Sequence, residues 1–268
     1  MNKRLLRWIK VIVLLYCVIG IALYYSQEYL LFHPKVLARD YRYQFNRPFT
    51  EVEIPFNKTD TLNMVQFFPA DSMKRKGVVI YFHGNRENIN RYERFVNNFT
   101  KHGYEVWIED YPGFGKSVGD RTEQILYQQA LQVYKMAVTK YKQDSIIIYG
   151  KSLGTGIAAY LASVTDCKQL ILETPYYSIP DIFDCYTFIY PTSRMTRYKI
   201  PTNEYLPDVK APITIFHGTN DWVIPYRCAS KLKTVLKPTD QFITIENGTH
   251  RNLNGFPLFH QKLDSLLQ

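Results

Sequence analysis

The chain has 268 residues, 46% of them apolar, and a formal charge of +9, enough for one large α/β domain or two small ones. Residues 1–47 hold Lys3, Arg4, Arg7, Lys10, Lys35, Arg39, Arg42 and Arg47 against Glu28 and Asp40, so most of that charge sits at one end, beside an apolar run. Such a head suits a membrane surface, and no basic stripe interleaved with aromatics runs through the body, which argues against a nucleic-acid partner.

The stretch 11–25 carries no charge. As a helix it reaches about 22 Å, short of a hydrocarbon core of about 30 Å. Extension back to Leu5 gives about 31 Å, enough to span. Arg7 and Lys10 then snorkel to the headgroups, and Trp8, Tyr24 and Tyr25 lie at interfacial depth. No polar face interrupts 11–15 or 18–23, so a buried amphipathic helix fits poorly. A cleaved signal peptide also fits poorly. Its best cleavage pattern, Val18-x-Gly20, falls inside the run, and tyrosines occupy the end. Tyr16 before Cys17 disfavours lipid attachment there. Residues 1–30 are therefore expected to form a cytoplasmic tip and a single-pass anchor in contact with membrane lipid. The basic tip favours a cytoplasmic N-terminus and an extracytoplasmic body.

The body, 31–268, reads as alternating short apolar strands and helices. Residues 50–56 and 62–68 form a hairpin about a turn at 57–60. Strands follow at 77–82, 104–108, 145–149, 169–172, 213–216 and 241–245. Helices are expected at 88–102, 122–141, 226–236 and 257–267. This is the pattern of a mostly parallel sheet with helices on both faces. Of the four cysteines, Cys17 lies in the anchor. Cys167, Cys185 and Cys228 cannot all pair, and their spacing is unlike a zinc site. They are buried thiols, or one pair bridges in an extracytoplasmic body. No cofactor or metal is expected.

Chemistry concentrates at the carboxyl ends of the strands. Gly150-x-Ser152-x-Gly154 stands between a β-branched run and a small-residue helix. A strand that turns at once into a helix strains the turn residue, and flanking glycines remove the Cβ atoms that would clash. The serine hydroxyl is left exposed at the positive end of the new helix, as a nucleophile. His83-Gly84-Asn85-Arg86 follows an earlier strand. The backbone N–H groups of Asn85 and Leu153 are candidates to bind an oxyanion, with His83 holding the loop. Asp221, just past a strand, can fix the tautomer of a histidine; Glu173 is the rival acid. His250, in a loop after the last strand, can take the serine proton. The order Ser152, Asp221, His250 suits this architecture.

Several stretches together resemble the α/β-hydrolase superfamily. More narrowly, they resemble its membrane-anchored abhydrolase-domain proteins and serine-aminopeptidase-like bacterial relatives. They are Leu30-Leu31-Phe32-His33-Pro34, His83-Gly84-Asn85, Asp110-Tyr111-Pro112-Gly113-Phe114-Gly115-Lys116-Ser117, Gly150-Lys151-Ser152-Leu153-Gly154, Glu173-Thr174-Pro175-Tyr176-Tyr177-Ser178, His217-Gly218-x-x-Asp221-x-x-Ile224-Pro225 and Gly248-x-His250. The resemblance implies an α/β-hydrolase fold and metal-independent hydrolysis of an ester, thioester or amide. A stretch at about 176–210, rich in Tyr and Phe, including Tyr176, Tyr177, Phe183, Tyr186, Phe188, Tyr190 and Tyr198, reads as a cap. Its aromatics either face an acyl chain or pack the cap itself. The expected activity is cleavage of an ester or thioester in a small-molecule or acylated substrate. The alternatives are a peptidase or amidase with the same triad, and a non-catalytic membrane-tethered binding protein.

Overall fold

Period-two alternation in the short apolar strands explains the layers. Val78, Ile80 and Phe82 point into one core, while Val79 and Tyr81 point into another. Ile146 and Ile148 divide from Ile147 and Tyr149 in the same way. Strands apolar on both faces must be covered on both faces.

The computed structural model describes residues 2–57, 59–187 and 189–268, so Met1 of the tip, Lys58 of the expected turn and Phe188 of the cap lie outside the described residues. The main sheet contains β1 (Phe49–Pro55), β2 (Thr61–Phe67), β3 (Gly77–Phe82), β4 (Tyr104–Asp110), β5 (Ile146–Lys151), β6 (Gln169–Glu173), β7 (Ile213–Gly218) and β8 (Gln241–Ile245). Their order across the sheet is β8-β7-β6-β5-β3-β4-β2-β1. The β1–β2 and β2–β4 pairings are antiparallel and the others parallel. The mostly parallel sheet is thus observed, with the predicted hairpin at its edge.

Four longer helices are α1 (Lys3–Leu31), α2 (Glu123–Lys140), α3 (Gly154–Val164) and α4 (Pro257–Leu266). Thr122 caps α2, its Oγ accepting from the Ile125 amide at 3.2 Å. Helices α2 and α3 contribute Leu126, Val133, Ile157 and Leu161 to one core. Helix α4 contributes Phe259 and Leu263 to the other. Helix α1 is long and apolar enough to cross a membrane, and little of it is buried.

Two expected helices are corrected. The stretch 88–102 is broken into Ile89–Tyr92, a 3-10 turn at Glu93–Phe95, and Asn97–Thr100. Its apolar residues Ile89, Tyr92, Val96 and Phe99 are buried at helical spacing. Phe95 and Val96, at the break itself, are aromatic and β-branched residues of lower helix propensity, so burial sets the faces without sustaining one continuous helix. The stretch 226–236 is helical over Tyr226–Ala229 and becomes a 3-10 helix over Ser230–Val235. Its C-terminal half holds Thr234 and Val235, β-branched residues of low helix propensity.

The cap segment carries the short helices Ile179–Asp184, Thr192–Met195 and Thr202–Tyr205. A disulfide joins Cys185 at the end of the first to Cys228 beyond β7. Cys17 and Cys167 are free. The cap also grips α1. Buried Gln27 donates to the Met195 carbonyl at 2.9 Å and accepts from the Arg197 amide at 2.7 Å.

Candidate active site

The sharp turn at the end of β5 puts Ser152 at φ +51°, a strained conformation for a residue with a Cβ. The flanking glycines permit that turn. A Cβ on Gly150 would lie 2.6 Å from the Gly154 carbonyl oxygen, and one on Gly154 only 2.1 Å from the Phe82 carbonyl oxygen. The Ser152 amide donates to the Glu173 carbonyl at 2.9 Å, which ties the turn to β6.

The acid and the histidine come from two loops that touch. The Thr219 amide donates to the Ile245 carbonyl at 3.1 Å, and the Asn220 amide to the Gly248 carbonyl at 2.8 Å. Gly218 is needed there, because its Cβ would meet the Gly248 oxygen at 2.2 Å. These contacts bring three separated residues into line. His250 Nε2 lies 2.8 Å from Ser152 Oγ, and its Nδ1 lies 2.8 Å from Asp221 Oδ2. Asp221 Oδ1 accepts from the amides of Val223 and Ile224, each at 2.8 Å.

That geometry fixes the proton positions. A carboxylate can only accept, so His250 Nδ1 carries the proton and Nε2 is free to accept from the serine. Burial alone would raise the Asp221 carboxyl, but the hydrogen bonds from His250 and the Ile224 amide outweigh it. The acid is held below the ordinary carboxylate range. A second histidine, His217, donates from Nε2 to the Ile224 carbonyl at 2.9 Å and lies 3.5 Å from Asp221 Oδ2. Burial pushes its pKa down despite the neighbouring Asp221. A neutral His217 leaves His250 as the ring that donates to the carboxylate.

The other predicted residues fall as follows. Glu173, the rival acid, is engaged by Lys151 and by the Tyr149 hydroxyl. His83 is fully buried, with Nδ1 2.6 Å from the Gly84 carbonyl and Nε2 3.2 Å from Asp110 Oδ1. It stacks on Tyr92, with centroids 4.8 Å apart, and packs against a tilted Tyr111 ring at 4.3 Å. That places it as a support of the loop. Asp110 Oδ1 also accepts the Ile89 amide at 3.0 Å. The loop passes close to the serine, since a Cβ on Gly84 would lie 3.5 Å from Ser152 Cβ. Among the described residues, neither the Asn85 nor the Leu153 amide has a hydrogen-bond acceptor. Asn85 is pinned to the end of α1. Its side chain donates to the Leu31 carbonyl at 2.8 Å, and its carbonyl accepts from the His33 amide at 2.8 Å.

A small pocket opens over Ser152 and His250. Its walls are the loop 84–86, the broken helix through Phe95, Lys151 and Arg251. No described cap aromatic lines it. Tyr176 bonds to the Leu153 carbonyl at 3.1 Å, Tyr190 stacks on Tyr16, and Tyr198 packs on Phe32. Of the two readings of the cap aromatics, packing describes these three. Sequence reasoning missed the cationic rim. Arg86, Arg94 and Arg251 all line this pocket and are exposed, without an acidic partner among the described residues. Their positions are scattered along the chain: Arg86 follows the His83-Gly84-Asn85 motif, Arg251 follows His250, and Arg94 lies in the broken helix.

The family model described as serine aminopeptidase, S33 matches residues 73–202. The lysophosphatidylserine lipase ABHD12 of Macaca fascicularis is 28% identical over 190 residues, covering 62% of this chain and 46% of that protein. The chain thus spans about half the length of that relative. The human alpha/beta hydrolase domain-containing protein 17C is 25% identical over 238 residues, covering 85% of this chain and 68% of that one. Among solved structures, the Pyrococcus furiosus esterase Pf2001 superposes with a TM-score of 0.67 at 17% identity, covering 88% of this chain and 96% of that one. That likeness shows an α/β-hydrolase fold.

Proposed function

We propose that this chain, a member of the α/β-hydrolase superfamily, is a membrane-anchored serine hydrolase that cleaves carboxylic esters or thioesters. The observation that carries the reading is the hydrogen-bonded line from Ser152 Oγ through His250 to Asp221. His250 Nε2 takes the serine proton as Oγ attacks the substrate carbonyl carbon. The amides of Asn85 and Leu153 receive the oxyanion, at the positive end of α3. Collapse expels the alcohol or thiol, which leaves with the proton from His250, and an acyl-serine forms. Water then gives a proton to His250 and attacks the acyl carbon; the acid leaves and Ser152 regains its proton.

The relatives and the rim suggest a narrower substrate class. Arg86, Arg94 and Arg251 suit a carboxylate or phosphate on the leaving group. The macaque relative is named for an acidic lysophospholipid, and the anchor would hold this enzyme at a lipid source. The Cys185–Cys228 disulfide favours an oxidising compartment for the body. With the basic tip, this favours the N-terminus in the cytoplasm and the catalytic domain outside it. The test compares two hydrolyses by the full chain in detergent: fatty-acid release from lysophospholipids with acidic or neutral headgroups, and amine release from aminoacyl amides. The reading expects ester turnover that falls to background in His250→Ala, with the acidic headgroup preferred. Turnover of amides alone, or turnover retained by His250→Ala, contradicts it.

A further inference from the structure

We propose that the tip of the cap, together with the turn beside Asp221, is immersed in the same bilayer as α1. The inference rests on the membrane anchoring proposed above. Its starting point is depth. If residues 5–25 cross the hydrocarbon, Tyr16 lies about 13 Å inside its body-side boundary at Tyr25. The cap reaches that level. The Tyr190 ring stacks on Tyr16 with centroids 4.6 Å apart. The Tyr16 hydroxyl donates to the Ile189 carbonyl at 3.1 Å, and the Tyr190 hydroxyl donates to the Tyr16 carbonyl at 3.0 Å. Gly20 makes room, because a Cβ there would sit 3.0 Å from Tyr190 Cε1.

The polar groups of this contact have partners. The two tyrosine hydroxyls use carbonyls, and both ends of the Gln27 amide use cap backbone. These bonds satisfy the carbonyls of Ile189 and Met195 and the amide of Arg197, which lowers the cost of holding that backbone against the anchor near lipid. Helix and cap also border a small, mostly apolar cleft between Leu23, Leu30, Phe183 and Met195.

The outward surface matches lipid. Tyr186 is 54% exposed, Ile189 58%, Trp222 85% and Val223 43%. They form a linked face, because the Tyr186 hydroxyl donates to the Trp222 carbonyl and the neighbouring Cys185 is bonded to Cys228. Exposed apolar side chains grouped in this way mark a binding surface, and Trp and Tyr are the residues of the membrane interface. Arg194 is exposed, and its long stem can snorkel. The occupant is the bilayer because the face continues the helix that the bilayer already holds.

The three tryptophans make the test direct. Trp8 reports the anchor, Trp222 reports the proposed face, and Trp107 is buried. The full-length chain is placed in nanodiscs whose lipids carry brominated or ordinary acyl chains, and tryptophan quenching is compared with Trp8→Phe and Trp222→Phe. Each substitution is expected to remove part of the quenching. If Trp8→Phe removes part and Trp222→Phe removes none, the anchor stands and the immersed cap is overturned. That result also follows if a second copy or another protein shields the face. If neither residue is quenched, the anchor reading fails and this inference with it. As a second readout, Ile189→Lys is expected to slow hydrolysis of a long-chain ester in the nanodisc several-fold and leave a short water-soluble ester unchanged. Loss on both substrates, or on neither, overturns the proposal.

Discussion

Replacing Asp221 by Asn probes the triad with almost no change of shape. Asp221 Oδ1 is held by two backbone amides at 2.8 Å each, which an amide nitrogen cannot satisfy. The asparagine therefore keeps its oxygen there and turns its NH₂ toward His250 Nδ1. A donor facing Nδ1 drives the ring proton to Nε2, which then no longer accepts from Ser152 Oγ. General-base catalysis is lost while the site remains assembled. The loss in kcat for a wrong tautomer of this kind is about 10⁴-fold, or about 5.5 kcal/mol in the barrier. Because both backbone bonds survive, the unfolding midpoint should fall by only a few degrees. Turnover of a chromogenic acyl ester and a thermal melt of the same sample measure the two effects. A folded Asp221→Asn protein with kcat within tenfold of the parent would refute the tautomer argument.

Two further outcomes follow from other parts of the fold. Glu109 is fully buried with no hydrogen-bond partner among the described residues, and burial, aided by the neighbouring Asp110 charge, pushes its pKa up to about 8. Its contribution to stability is full below the unfolded value of about 4.5 and is lost as pH rises through about 8. Melting of the parent is therefore expected to drop more between pH 6 and pH 9 than melting of Glu109→Gln; equal drops would contradict this. The Cys185–Cys228 bridge closes a separation of 43 residues, for which chain entropy sets a ceiling of about 4 kcal/mol. The double variant Cys185→Ser, Cys228→Ser is expected to melt roughly 5–10 °C lower. An unchanged melt would show the bridge is not holding the cap.

The parts of the fold written in local patterns were legible. Continuous apolar strands with alternating faces gave the sheet, and Gly150-x-Ser152-x-Gly154 gave the turn whose glycines stand against the backbone. Residues 221 and 250 were readable as loop positions at strand ends, which topology brings to one edge. Less legible were features made by convergence. The arginine rim joins positions 86, 94 and 251, and no local pattern links them. The pairing of Cys185 with Cys228 depends on where the cap folds back, which three cysteines cannot reveal. The grip of the cap on α1 rests on Gly20 and Gln27, single residues inside an apolar run whose composition speaks only of lipid.

The central claim is that Ser152 is an activated nucleophile. Full-length protein treated with a fluorophosphonate and examined by intact mass and peptide mapping tests it most directly. One adduct is expected, on Ser152, and none in Ser152→Ala. An unlabelled but folded parent, or an adduct that persists in Ser152→Ala, would contradict it.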